Sequence, residues 1–288
     1  MKTIAVYYFS GTGNTELVAK MVKEAFEQQE YAVDLVRMED VLKQKMMIDV
    51  EKYDFIGIGS QVIGYNAPGI VYDFVRSLPQ GGGKQVFIFR TAGGVAPINY
   101  NVSKPLMRKL SRKGYDVTYE RIFSIGSNWI VRFKDEVMQK LVETTRQKVE
   151  RMCREVLAGE KRMLHTGLGL RLVMEMLMAV DLPVFRLIAK DYLVEQSCTH
   201  CGLCVRQCPV NNIVEKNGKI DFNWSCNGCM RCVYACPQNA IQFKHLTFFP
   251  VEGGYNLKKI LQHPQGEAEN AARRTPPFLA EYIANDAL

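Results

Sequence analysis

The sequence lacks an apolar run long enough to cross a bilayer. Its most apolar stretch, residues 168–189, is interrupted by four charged residues and a proline, namely Arg171, Glu175, Asp181, Pro183 and Arg186. Each such charge costs about 3 kcal/mol at the centre of a membrane. The apolar start at residues 3–9 is short for the h-region of a secretory signal and is typical of a buried strand. We therefore expect a cytoplasmic protein, in a reducing compartment where thiolates stay available as ligands.

Basic arms and hydrolytic motifs are also missing. The net charge of +7 is spread along the chain, which argues against a nucleic-acid-binding protein. No Ser-His-Asp arrangement, pair of catalytic carboxylates or H-E-x-x-H helix is evident, so hydrolysis has no candidate residues. A chain of 288 residues with 47% hydrophobic and 23% charged residues is typical of a folded protein of about two domains.

Cysteine is scarce outside one short block. Eight of the nine cysteines lie between Cys198 and Cys236, and the ninth, Cys153, stands alone. A lone cysteine is most often a small buried hydrophobe. The eight form two runs of C-x2-C-x2-C-x3-C-P that superpose after a shift of 28 residues, which indicates an internal repeat. This is the spacing of bacterial proteins with two 4Fe-4S clusters, in which the fourth cysteine of each run serves the other cluster.

Crossed ligation assigns four cysteines to each cluster. The first cluster is expected at Cys198, Cys201, Cys204 and Cys236. The second is expected at Cys226, Cys229, Cys232 and Cys208. Three thiolates at two-residue intervals can hold three corners of a cube, and the fourth comes from the other run. Two structural zinc sites are the alternative, although zinc sites use C-x2-C pairs separated by longer gaps.

Residues 1–158 alternate between strand and helix patterns. Continuous apolar runs predict buried strands at 2–9, 54–59 and 85–90, with a last strand at 115–123. Helical patterns fall between and after them, at 15–29, 68–78, 102–113 and 134–157. The alternation predicts an α/β fold with a doubly wound parallel sheet. Ligands of such sheets bind beyond the carboxyl ends of the strands.

A loop rich in glycine and hydroxyl groups follows the first strand. It consists of Ser10, Gly11, Thr12, Gly13, Asn14 and Thr15. It lacks the lysine of a Walker A loop and the third glycine of a dinucleotide fingerprint. Backbone N–H groups at the start of the next helix, together with the hydroxyls, can converge on a phosphate. A capped turn without a ligand is the alternative.

Two more loops follow the third and fourth strands. They consist of Ser60, Gln61, Val62, Ile63, Gly64, Tyr65 and Asn66, and of Thr91, Ala92, Gly93 and Gly94. With these loops the chain resembles the flavodoxin family, and the resemblance implies the strand order 2-1-3-4-5. The resemblance implies that the first loop binds the FMN phosphate and that the later two flank the isoalloxazine ring. It also implies that Gly64 supplies the peptide beside the flavin N5 and that Tyr65 stacks on the ring.

The cysteine block is similar to two-cluster ferredoxins, and the whole chain resembles the family of flavodoxin–ferredoxin fusion proteins. The resemblance implies four segments. A flavodoxin-like FMN-binding domain spans 1–158, a helical linker 159–195 and a small α+β ferredoxin-like domain 196–245. A C-terminal extension spans 246–288, where prolines and the polar run 265–274 favour a loop and a short helix.

The expected function is electron transfer. FMN exchanges one or two electrons and each cluster exchanges one, so the chain could relay electrons between redox partner proteins. Its net positive charge would favour acidic partners, and the resemblance implies an anaerobic metabolism. Two alternatives stay open. One is an FMN-dependent reductase of a small organic substrate fed by the clusters, and the other is a flavin-free redox-sensing or docking module.

Overall fold

The computed structural model describes residues 2–262 and 276–285. Its larger module is a five-stranded parallel sheet in the order β2-β1-β3-β4-β5, which confirms the predicted order. The strands are β1 (Thr3–Phe9), β2 (Ala32–Arg37), β3 (Phe55–Gln61), β4 (Gln85–Ala92) and β5 (Asp116–Ser124). The central strands are buried along almost their whole length because helices cover both faces.

Five helices form the two outer layers of this module. They are α1 (Asn14–Glu27), α2 (Met38–Gln44), α3 (Gly69–Ser77), α4 (Lys104–Arg112) and α5 (Asp135–Leu157). Helices α1 and α5 share one apolar core with the sheet, and α2, α3 and α4 share the other. The carboxyl ends of the strands, with the loops that follow them, therefore meet along one open edge.

The cysteine block forms a second, smaller module that repeats itself in three dimensions. Two antiparallel ribbons pair β6 (Tyr192–Val194) with β9 (Ile241–Phe243) and β7 (Ile213–Lys216) with β8 (Lys219–Phe222). Helices α7 (Leu203–Gln207) and α8 (Arg231–Ala235) start 28 residues apart, at the offset of the sequence repeat. Since β6 pairs with β9, residues just before the predicted boundary at 196 contribute to this module.

The backbone conformation follows the same repeat. Residues with positive φ recur at the 28-residue offset, as His200 and Gly228, Gly202 and Met230, and Asn211 and Asn239. A left-handed backbone is unfavourable for a residue such as histidine or methionine. Each half adopts it at the same places because the cysteine loop must turn sharply between successive ligands.

A helix joins the two modules. Helix α6 (Leu168–Ile188) contains Pro183 and buries Met174, Met178 and Phe185. Its opposite side carries exposed leucine, valine and methionine residues. Within the described ranges, none of the helices combines the length and the apolar character that a membrane crossing needs.

The chain after residue 250 returns to the first module. Helices α9 (Leu257–Gln262) and α10 (Pro277–Ala284) join the core that α1 and α5 share. Leu279 and Tyr282 are fully buried, and the Tyr282 hydroxyl shares a hydrogen bond of 2.8 Å with Thr145 Oγ1 on α5. The predicted polar run 265–274 lies outside the described residues.

We predict that Leu279→Ala destabilises the protein by about 3 kcal/mol, because it removes a fully buried side chain and leaves a cavity. Urea unfolding measures the change. Glu281→Ala, at an exposed position of the same helix, is the matched control and should change the stability by less than about 0.5 kcal/mol. Equal effects of the two variants would contradict the docking of α10.

Candidate functional site

The loop between β1 and α1 has the geometry of an anion site. Gly13 has φ 103°, a left-handed conformation that favours glycine, and no side chain caps the helix at this position. Its N–H donates to Ser10 Oγ at 3.1 Å. The first N–H groups of a helix have no partner within the helix, and the helix dipole adds positive potential there. The loop therefore presents donors to a phosphate-sized anion.

Two side chains of this loop, those of Asn14 and Thr15, hydrogen-bond to other parts of the chain. Thr15 is fully buried, and its hydroxyl shares a hydrogen bond of 2.7 Å with Thr91 Oγ1, which ties the first loop to the loop after β4. Asn14 Nδ2 donates to the Gly126 carbonyl at 3.2 Å, and its Oδ1 accepts from Tyr255. Asn14 and Thr15 thus hold the fold. Ser10 and Thr12, in contrast, line a cavity beside the loop.

A cavity of about 110 Å³, here called the loop cavity, lies where the three predicted loops meet. It is lined by Ser10, Thr12, Asn14, Gln61, Val62, Ile63, Gly64, Thr91, Ala92, Gly93, Gly126, Ser127, Asn128 and Trp129. The donor set fits a phosphate. Cofactor and ligand sites usually span about 300–1,000 Å³, so FMN would need the loops that roof this cavity to move outward.

Several predicted residues lie elsewhere. Asn66 is buried, donates from Nδ2 to the Met178 carbonyl at 3.1 Å and accepts from Tyr72. The Ser60 hydroxyl accepts from the buried Arg90. Tyr65, the candidate for ring stacking, is not among the described residues that line the loop cavity. Gly11, Gly13, Thr15 and Gly94 also lie outside the lining.

The loop after β5, residues 126–129, is the part of the site that sequence analysis missed. Trp129 supplies the aromatic ring of the loop cavity, and Asn128 Nδ2 donates to Thr12 Oγ1 at 2.8 Å. In the order 2-1-3-4-5, β5 ends at the same edge of the sheet as β4. A tryptophan five residues after that strand was the available signal.

The eight clustered cysteines line two separate cavities of about 20 Å³ each. One is lined by Cys208, Cys226, Cys229 and Cys232, and the other by Cys198, Cys201, Cys204 and Cys236. We call these groups the inner and the outer cysteine set. Each takes three cysteines from one run and one from the other, so the fold brings together the thiols of the crossed arrangement.

Burial disfavours the thiolate form in both sets. Burial, with the neighbouring thiols Cys229 and Cys208, raises the pKa of Cys226 to about 12. Burial also raises the pKa of Cys204, to which Cys198 and Cys236 add. Thiolates bind metals, so a metal centre at either set would have to supply the compensating charge, and its binding would be coupled to folding of this module.

Backbone N–H groups point at the sulfurs in the repeated pattern. Asn212 N donates to Cys208 Sγ at 3.1 Å, and Ala240 N, 28 residues later, donates to Cys236 Sγ at 3.3 Å. Such bonds stabilise a thiolate ligand and tune a cluster potential. In the part of the chain that the structure describes, no three His, Cys, Asp or Glu side chains converge closely enough to hold one metal ion. A 4Fe-4S cube needs no such convergence, because each thiolate binds a different iron.

The inner cysteine set lies against the loop between β1 and α1, residues 10–13, here called the phosphate-type loop. A Cβ on Gly11 would lie 2.3 Å from the Cys229 carbonyl oxygen and 3.0 Å from Cys229 Cβ, so only glycine permits this approach. A Cβ on Gly228 would lie 3.4 Å from the ring of Trp129. The two modules therefore meet where the inner set and the loop cavity come closest.

Arg231 fastens this contact. Its guanidinium donates to the Ser10 carbonyl at 2.6 Å, the Gly11 carbonyl at 3.3 Å and Glu39 Oε1 at 2.7 Å. The Arg231 side chain is 16% exposed and that of Glu39 5%. Arg231 is the first residue of α8 and lies two residues after Cys229. Its side chain therefore joins the cysteine module to the loop after β1 and to α2.

Two family models match the chain in succession. A flavodoxin domain matches residues 5–112, and a 4Fe-4S dicluster domain matches residues 190–237. The chain has the domain order of a flavodoxin–ferredoxin fusion. The chain therefore combines a flavodoxin domain with a 4Fe-4S dicluster domain, and the two domains support an electron-transfer role for this fusion.

Solved structures similar to the fusion include flavodoxins. A flavodoxin from the domain Archaea is 17% identical, with a TM-score of 0.36, over 54% of this chain and 99% of that one. The two-electron reduced flavodoxin of Megasphaera elsdenii is 25% identical, with a TM-score of 0.36, over 43% and 88%. General stress protein 14 of Treponema denticola, in complex with FMN, is 16% identical, with a TM-score of 0.36, over 55% and 97%. Among curated proteins, none matches the fusion.

We predict that Arg231→Ala lowers the free energy of unfolding by about 3 kcal/mol, because it leaves the carboxylate of Glu39 buried without its partner. Anaerobic urea unfolding of the iron-loaded protein measures this. The double variant Glu39→Gln/Arg231→Ala removes the stranded charge and should recover part of the loss. A double variant no more stable than Arg231→Ala would show that the pair is not coupled.

Proposed function

We propose that the fusion relays single electrons between a 4Fe-4S cluster on the outer cysteine set, a second cluster on the inner set and FMN in the loop cavity. The observation that carries this proposal is the seating of Cys229 against Gly11. It makes the inner set the neighbour of the candidate flavin site, while the exposed Cys201 puts the outer set at the surface. These two observations support the order outer cluster, inner cluster, FMN.

The residues that would hold FMN are those of the phosphate-type loop and the loops after β3, β4 and β5. The N-terminus of α1 and the hydroxyls of Ser10 and Thr12 would bind the phosphate. Gly64, with φ 58°, begins the turn that would face the ring, and Trp129 would contact its plane. When bound, FMN supplies a centre that exchanges one or two electrons.

Trp129 links the two candidate sites directly. Its ring lines the loop cavity and also lies beside Gly228, next to Cys229. Phe185 and Phe249 pack on it with ring centroids 5.3 Å and 4.9 Å away. This aromatic cluster lies at the boundary between the modules and supports the proposed transfer of electrons across it.

A carrier is favoured over a reductase of a small substrate. Asn128 and Tyr255 hydrogen-bond to Thr12 and Asn14, so the 126–129 loop and the chain around residue 255 lie against the first loop of the candidate flavin site. An organic substrate would have to reach the ring past this cover. A redox protein docking at the outer set needs no such entry.

We also place the protein in the reducing cytoplasm, with redox proteins as partners. All nine cysteines are free thiols, as cluster ligation in a reducing compartment requires. The net charge of +7 favours acidic partners.

Crossed ligation predicts which cluster each cysteine supports. Cys208→Ala should perturb the inner cluster and Cys236→Ala the outer one, although each lies in the run that supplies most of the other set. Anaerobic iron analysis and electron paramagnetic resonance of the reduced protein separate the two cases. Cys153→Ala, at a buried cysteine on α5, is the control and should keep about eight irons. Loss of the outer cluster in Cys208→Ala would contradict the assignment.

The flavin assignment predicts a selective loss. Ser10→Ala/Thr12→Val should weaken FMN binding about a hundredfold or more, because each hydroxyl bond to a charged phosphate contributes about 1.5–3 kcal/mol, while the iron content stays unchanged. Flavin fluorescence titration and iron analysis measure the two effects. Ser111→Ala/Thr118→Val, far from the loops, is the matched control. If the wild-type protein carried its full iron content but did not bind FMN, the flavin assignment would be wrong, and the flavin-free module would be the remaining interpretation.

A further inference from the structure

A second, larger cavity lies on another side of the inner cysteine set. It measures about 840 Å³ and is bounded by α2, α3, α4, α6 and the two cysteine loops. We call it the basic cavity. Its described lining includes four basic side chains, namely Lys43, Arg76, Lys109 and Arg186, and two acidic ones, namely Asp73 and Glu175. The volume falls within the range of small-molecule sites, and the cavity shares no lining residue with the loop cavity.

The acidic side chains of this cavity are engaged by arginines. Asp73 pairs with Arg76, and Glu175 pairs with Arg171 at 3.2 Å and with Arg108 at 3.7 Å. Both of these partners of Glu175 lie outside the lining. Among the described lining residues the acidic charges are thus compensated, and the basic side chains outnumber the acidic ones four to two.

The other basic side chains of the cavity lie near apolar residues or beside the inner cysteine set. Lys109 Nζ lies 5.9 Å from the centroid of the Tyr72 ring, and the exposed Arg186 of α6 also lines the cavity. Lys43 Nζ donates to the Cys208 carbonyl at 2.7 Å, which places its charge beside the inner set. The apolar part of the lining consists of Leu42, Ile70, Tyr72, Pro105, Met178, Ala179, Pro209 and Val210.

The wall next to the cysteines is rigid and polar. Cys226 itself lines the cavity, between Ser225 and Asn227. Asn227 Oδ1 accepts from the N–H of Ile70 at 2.7 Å, which fixes the cysteine loop on the first turn of α3. A ligand here would sit beside a residue of the inner set and, at Asn66, beside the end of the loop after β3.

We propose that the basic cavity binds a small organic anion, with its acidic group between Lys109 and Arg186 and its apolar body against Tyr72 and Met178. The mixed apolar and basic lining and the compensated carboxylates fit this class of ligand. A neutral molecule would lack the charge-assisted hydrogen bonds that an anion can form with the basic side chains.

Binding is coupled to the inner cluster, a consequence that rests on the proposed function. Negative charge beside Cys226 disfavours adding an electron to the cluster, and by linkage the reduced protein binds the anion more weakly by the same factor. For a tenfold difference in affinity, the midpoint potential of the inner cluster falls by about 59 mV.

The test is anaerobic calorimetry of the iron-loaded, flavin-loaded protein with 2-naphthalenesulfonate as the probe. Its uncharged relative naphthalene-2-sulfonamide should bind at least tenfold more weakly. Lys109→Gln/Arg186→Gln should weaken sulfonate binding by at least tenfold, since removing one charged contact changes an affinity by about that factor. Arg112→Gln/Lys140→Gln removes the same charge outside the cavity and should leave the affinity within about twofold.

Three results would overturn the proposal: equal binding of both probes, unchanged sulfonate binding in Lys109→Gln/Arg186→Gln, or no sulfonate binding at millimolar concentration. Iron and flavin are counted in the same samples, which separates this failure from that of the relay. Missing flavin with intact sulfonate binding would reject the relay alone. Absent sulfonate binding in fully loaded protein would reject the basic cavity alone.

Discussion

The close contact between the Gly11 backbone and the Cys229 loop is the constraint on which the rest of the structure depends. A Cβ at position 11 would collide with the Cys229 carbonyl at 2.3 Å, so the absence of one side chain sets how near the two modules can come. Arg231 holds the contact from the cysteine side through two carbonyls of the first loop and through Glu39. The glycine of a phosphate-type loop therefore has two roles, one toward an anion and one toward the neighbouring module.

Other parts of the chain support this contact. Helix α6 accepts a hydrogen bond from Asn66 at its Met178 carbonyl and packs Phe185 against Trp129. Tyr234 of α8 donates to the Asn128 carbonyl at 2.7 Å and accepts from Val251 N at 2.9 Å. The segment between the modules and the segment after them thus converge on the same boundary. This arrangement keeps the two modules in one geometry without a disulfide.

Local patterns were sufficient to predict much of this architecture. Apolar runs predicted β1, β3, β4 and β5 but not β2, which is only partly buried at the edge of the sheet. The 28-residue cysteine repeat reappears as the paired helices α7 and α8 and as matched left-handed residues. Long-range contacts were not predictable in this way. Trp129 and Tyr255 reach the first loop only because β5 and the returning chain end beside it. Asn66 lies two residues after Gly64 but does not line the loop cavity, because its amide is hydrogen-bonded to the Tyr72 hydroxyl and the Met178 carbonyl instead.

The central claim is that electrons pass within one molecule from the inner cysteine set to the flavin. The most direct measurement is rapid anaerobic photoreduction of the clusters in the loaded protein, with flavin absorbance followed over time at several protein concentrations. The account predicts first-order flavin reduction at a rate independent of protein concentration, because the centres are neighbours in one chain. A rate proportional to protein concentration, or clusters that stay reduced beside an oxidised flavin of sufficient potential, would contradict it.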